Sequence, residues 1–122
     1  FRLLTHETGR AGEFLAAYHL QIAGADVYHV NSAVDLIVRA ASGRLLAVEV
    51  KAASKVYGNK RQTYIFNINS AKPDFYVFVA LDVGRIAVAE ASEIHKRGTM
   101  RLPVDAFSEG AMQAGIARII DA

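Results

Sequence analysis

The sequence has no cysteine and no tryptophan, only two prolines, and no apolar run long enough to cross a membrane. Each absence narrows the reading. Without cysteine there is no disulfide framework, no thiolate metal site and no cysteine nucleophile. A membrane-spanning helix needs roughly 18 or more apolar residues, so no membrane partner is expected. The N-terminus carries no signal-peptide pattern, and a cytoplasmic protein is the simplest expectation. Phe1 is not a natural start, which leaves room for an upstream piece. His6, His19, His29 and His95 show no His-x-x-x-His spacing and read as surface or satisfied structural residues. Nor is there a P-loop, a dinucleotide Gly-rich fingerprint or a Gly-x-Ser-x-Gly elbow.

What is present is a chain of 122 residues, 52% hydrophobic, with a formal net charge of +2. That length is expected to form one domain over residues 1–122, and its apolar content opposes disorder. The net charge says little about a polyanionic partner, but its distribution says more. From Lys51 to Lys72 the basic residues Lys51, Lys55, Lys60, Arg61 and Lys72 occur with no acid among them. Such a surface suits nucleic acid.

The stretch that organises the rest is Val34 to Lys51. Val34–Ala40 and Arg44–Lys51 are rich in β-branched and aliphatic residues around Ala41-Ser42-Gly43, which predicts a hairpin. A three-residue hairpin loop places a left-handed residue at its end, and Gly43 adopts that conformation without a Cβ penalty. Pairing Ala40 with Arg44 and counting outward sets Asp35 opposite Glu49, with Lys51 on the same face. Directly opposed residues have Cβ atoms about 4.5–5.5 Å apart, and like charges so placed repel. Two carboxylates there need a proton or a cation between them. A hard divalent ion, Mg²⁺ or Mn²⁺, suits an all-oxygen set. Lys51 then lies where an ammonium can hold a water or stabilise an oxyanion. The plain alternative is a solvated sheet face on which Lys51 only neutralises an acid. Both faces of the hairpin are largely apolar, which predicts cover on both sides and gives charges in that setting a function.

Residues 7–23 read as a helix capped by Gly24, with Ala11, Phe14, Leu15, Tyr18 and Ile22 as its core-facing arc. Glu13 lies off that arc, beside Ala16, Ala17 and Leu20, and by itself reads as a first-turn acid facing the helix dipole. Gly9 and Gly12 allow close backbone approach, by a phosphate with Arg10 beside it, or mark simple fraying. Ala25–Val30 is a short strand; 52–63 is a polar loop turning at Gly58-Asn59; 64–68 looks like an edge strand. Phe75–Leu81 is continuously apolar, the mark of a central strand, and Arg85–Glu90 its antiparallel partner. Ser92 is expected to cap a short helix through Arg97, and Ser108 a last helix over 108–120 with Met112, Ile116, Ile119 and Ile120 as its stripe.

The run Gly9-Arg10-Ala11-Gly12-Glu13-Phe14-Leu15-Ala16-Ala17, then Val34-Asp35-Leu36-Ile37-Val38, then Val48-Glu49-Val50-Lys51 resembles the PD-(D/E)xK nuclease superfamily, and within it most the group of Holliday-junction resolvases. Asp74–Asp82 is similar to the later core strand of that group. The resemblance implies a restriction-endonuclease-like α/β core, a mixed sheet of four to five strands flanked by helices. It implies Mg²⁺ held by Asp35, Glu49 and the Val50 carbonyl, Lys51 positioning the attacking water, and Glu13 completing the metal shell directly or through water. Two departures stand out: Val34 replaces the family's proline, and no helix is evident between the Glu-x-Lys strand and the next core strand. The function expected is metal-dependent endonucleolytic hydrolysis of DNA, branched or junction DNA included, with Arg10, Lys55, Lys60 and Arg61 on phosphates. Action on a two-fold junction would favour a homodimer. A non-catalytic nucleic-acid-binding module on the same scaffold is the alternative, and an interaction domain with apolar edge strands the third.

Overall fold

The computed structural model describes residues 5–30, 34–69, 72–94 and 98–122. The hairpin forms as its loop requires: β2 (Leu36–Arg39) and β3 (Leu45–Ala53) pair antiparallel, with Leu36 opposite Val48 and Arg39 opposite Leu45. Gly43 takes φ +91° and the Ala40 N–H donates to the Arg44 carbonyl at 2.9 Å, so the predicted register holds. Around this hairpin a five-stranded sheet is ordered β1-β2-β3-β5-β6, with β1 (Asp26–His29), β5 (Phe75–Ala80) and β6 (Arg85–Glu90). Pairing is antiparallel except between β3 and β5, which makes the sheet mixed, as expected. β5 is buried along its whole length, as its unbroken apolar sequence requires.

Helices α1 (Thr5–Ile22) and α2 (Glu109–Ile120) lie on one face of the sheet. The end of α1 is a Schellman motif: Gly24, at φ +102°, donates to the Gln21 carbonyl and Ala25 to the Leu20 carbonyl, both at 3.0 Å. Ser108 caps α2 by accepting from the Ala111 N–H, and Met112, Ile116 and Ile119 enter the core as predicted.

The orientation of α1 corrects the sequence reading. Phe14, Tyr18 and Ile22 are exposed, whereas Gly12, Ala16, Ala17 and Leu20 are buried. The reason is proximity: a Cβ on Gly12 would lie 2.6 Å from the Ala52 Cβ of β3. A helix this close to a strand presents its small residues to the sheet and turns its large ones outward. Gly12 therefore serves helix–strand contact.

The other face is covered in part by a separate two-stranded antiparallel ribbon of β4 (Thr63–Ile68) and β7 (Gly98–Pro103). Tyr64, Phe66 and Ile68 of β4 pack with Tyr76, Phe78 and Ala80 of β5 and with Phe107. Residues 64–68 are a strand as read, but pair with β7 in a sheet of their own, and the link from β3 to β5, where the sequence showed no helix, runs through β4. The helix expected from Ser92 to Arg97 is a 3₁₀ turn at Ala91–Glu93; residues 95–97 lie outside the described ones, and β7 begins at Gly98. Cover on this face is incomplete, since Leu45 is 56% exposed and Ile37 and Ala47 are half-buried.

Candidate active site

Asp35 stands one residue before β2, and the Leu36–Val48 pairing sets it opposite Glu49. In a strand the N–H and C=O of one residue point to the same neighbour. At the end of the β2–β3 ladder the Val50 N–H, on the β2 side, donates to Asp35 Oδ2 at 2.8 Å. The Val50 carbonyl therefore lies on the same side of β3 as Asp35. This bond fixes the Asp35 carboxylate against β3.

Glu49 is 6% exposed, one of few buried charged side chains. It pairs in register with Tyr76, and Lys51 with Phe78, on the parallel strand β5. Both charges thus rise from the face that carries the ribbon. Burial pushes the Glu49 carboxyl up to about 7, helped by its hydrogen bond and charge repulsion with Asp35 and opposed by Lys51. Lys51 Nζ lies 3.6 Å from Glu49 Oε2. One ammonium does not offset two carboxylates in a half-dry setting, so the pair has room for a proton or a cation.

Glu13 joins from α1. Its carboxyl is raised by burial and by the charge of Asp35, while His29 and Arg10 lower it. The face shared by Gly12, Ala16 and Leu20 is turned to the sheet, and Glu13 stands at its margin, within reach of the charge of Asp35. Even so, the described residues contain no group of three acidic or histidine side chains placed to ligate one ion. The side chains that face one another there are the carboxylates of Asp35 and Glu49, beside the Val50 backbone. That donor set, all oxygen and doubly anionic, fits a hard divalent cation.

Arg10 is exposed on α1 near Glu13. Lys55, Lys60 and Arg61 are exposed in the segment between β3 and β4, away from the acid pair along the chain, and Lys55 Nζ sits 5.3 Å from the Tyr57 ring centroid. Of the two tyrosines flanking this basic segment, Tyr57 is exposed, whereas Tyr64 is buried with its hydroxyl donating to Asp82 Oδ1 at 2.8 Å. His19 is buried with Nε2 2.8 Å from the Gly84 carbonyl oxygen, a structural role; the side chains of His6 and His95 lie outside the described residues. Sequence reasoning passed over Tyr76, whose place beside Glu49 depends on the parallel β3–β5 pairing and leaves no local signal. Among the described residues, no helix is long and apolar enough to cross a membrane.

No protein-family model matches the chain, and no curated protein matches it. Among solved structures it is similar to the bacterial homing endonuclease I-Ssp6803I, with a TM-score of 0.72 and 18% sequence identity over 99% of this chain and 100% of that one. At that identity the likeness establishes the fold: a mixed α/β core of the kind found in a nuclease.

Proposed function

We propose that this chain is a metal-dependent DNA endonuclease of the PD-(D/E)xK type. The observation that carries the reading is the pairing of Asp35 with Glu49, with Lys51 on the same face, on a fold shared end to end with a protein named as an endonuclease. A bound Mg²⁺ or Mn²⁺ would supply Lewis-acid polarisation of the phosphate and a more acidic attacking water. Asp35, Glu49 and the Val50 carbonyl would hold the ion. Lys51 would orient the nucleophile and offset charge on the phosphate, and its contact with Glu49 keeps the ammonium at that place. Glu13 would accept a hydrogen bond from a water in the shell. Arg10, Lys55, Lys60 and Arg61 would contact phosphates, which position the substrate without reading sequence.

The test is cleavage of labelled four-way junction, flap, nicked and linear duplex DNA with Mg²⁺, Mn²⁺ or EDTA, beside Glu49→Ala. Cutting that needs metal and is lost in the variant supports the reading. Salt-sensitive binding without cutting on any substrate would instead favour the non-catalytic module.

A further inference from the structure

The β4–β7 ribbon has two unlike faces. Its inner row, Tyr64, Phe66 and Ile68, is locked into the core by rings such as Phe78 and Phe107, at centroid distances of 4.9 Å for Phe66–Phe78 and Tyr64–Phe107. Its outer row alternates with this one and consists of Thr63, Ile65 and Asn67 beside Thr99, Arg101 and Pro103, with Ile65 opposite Arg101 and Asn67 opposite Thr99. Asn67, Thr99 and Arg101 are exposed, and no acid lies on the row. Arg101 has no ion-pair partner among the described residues, in contrast to Arg44, Arg85 and Arg118, each of which meets a carboxylate. Arg101 and Asn67 therefore stand exposed on an acid-free strand pair, open to a partner.

The approach to the ribbon is basic. The segment carrying Lys55, Lys60 and Arg61 is pinned to the start of β4 by Tyr57 and Thr63, which exchange backbone hydrogen bonds of 2.8 and 2.9 Å. Gly58 makes the tight turn, at φ +103° with a would-be Cβ 2.6 Å from the Arg61 carbonyl oxygen. The ribbon also rides on the sheet face from which Glu49 and Lys51 rise, because its inner row packs on Tyr76 and Phe78, their in-register neighbours. Layers packed face to face are about 10 Å apart, so the outer row and the acid pair stand within about one turn of a duplex.

A two-stranded antiparallel ribbon fits the major groove of B-DNA; arginine pairs bidentately with guanine and asparagine with adenine there. We propose that the outer face of β4–β7 enters the major groove of linear duplex DNA and reads its sequence, with Arg101 and Asn67 as the base-contacting residues and the Lys55–Arg61 segment on flanking phosphates. This rests on the endonuclease reading for its consequence, site-directed cleavage, but binding tests it separately.

The experiment selects from a random-sequence linear duplex library with the Glu49→Gln variant in EDTA, then repeats the selection with Arg101→Ala, Asn67→Ala and Lys60→Ala added singly. The expected result is an enriched sequence, with discrimination at one guanine falling on the order of ten-fold or more in Arg101→Ala and at one adenine in Asn67→Ala. Lys60→Ala should weaken all sequences alike and shallow the salt slope by about one. No enriched sequence, or an unchanged preference in both ribbon variants with native circular dichroism, overturns the proposal. Selective binding by a protein that cuts nothing would leave the ribbon and sink the nuclease; metal-dependent cutting without sequence preference would do the reverse.

Discussion

Asp35 Oδ2 accepts the Val50 N–H at 2.8 Å, so the acid before β2 is tied to β3 one residue beyond the acid it faces. The bond separates two roles in one side chain. Asp35→Asn keeps an acceptor for Val50 and should retain the metal-free stability within about 0.5 kcal/mol, while its affinity for Mg²⁺ falls through loss of charge. Asp35→Ala leaves a strand N–H without its partner and should cost roughly 1–3 kcal/mol as well. Chemical denaturation with and without Mg²⁺ distinguishes the two; equal losses from both variants in EDTA would mean the bond does not hold the site.

Glu49 makes the metal-free protein pH-sensitive. Its carboxyl is raised from 4.5 to about 7 by burial first and then by Asp35. Between those values the folded chain binds more protons than the unfolded one, so stability falls as pH rises through this window. The change is on the order of 3 kcal/mol, and Glu49→Gln should flatten it. Added Mg²⁺ should offset the loss above pH 7, since a ligand that binds only the folded state stabilises it. Thermal melts from pH 4.5 to 8 provide the check, and a flat profile in EDTA would contradict the assignment.

Lys51 lowers the Glu49 carboxyl, so replacing it acts twice. Lys51→Met should raise that carboxyl further and remove the ammonium beside the phosphate. Cleavage is expected to drop on the order of 10²–10³-fold with DNA binding in EDTA little changed. A variant that cuts normally would assign Lys51 to charge balance alone.

How far the sequence reveals this arrangement depends on range. The hairpin was legible because Gly43 and a three-residue loop fix its register locally, and with it the facing of Asp35 and Glu49. β5 and α2 were legible from an unbroken apolar run and a serine cap. The face of α1 was not: a wheel weighs Phe14, Tyr18 and Ile22 as core, but the contact of Gly12 with Ala52 belongs to the tertiary fold. β7 was missed because Gly98 to Pro103 lacks β-branched alternation and gains its strand form from pairing with the distant β4. Arg101 went with it.

Gly12→Ala should test the close approach of α1 to β3. The added methyl would lie 2.6 Å from the Ala52 Cβ, and overpacking of this kind costs typically 1–3 kcal/mol. It should also push Glu13 away from Asp35 and reduce cleavage. Gly9→Ala meets nothing within 4 Å and should stabilise the helix by roughly 0.5–1 kcal/mol. If both variants melt alike, the helix does not touch the strand as described.

The outward stripe of α1 bears on assembly. Phe14, Tyr18 and Ile22 are 60%, 55% and 66% exposed, and Phe14 leans on His29 of β1 with ring centroids 5.2 Å apart. β1 ends the sheet order, so among the described residues no strand lies beside its outer edge. An edge of this kind next to an apolar stripe invites a second strand. A second copy fits best, because two β1 strands set antiparallel would bring Asp26 of each opposite His29 of the other, an isologous contact of carboxylate and imidazole. The expected state is a homodimer. Sedimentation equilibrium at micromolar concentration should show it, and Phe14→Ser with Ile22→Ser should yield a monomer with unchanged circular dichroism. A wild-type protein that stays monomeric at those concentrations would leave the stripe without this role.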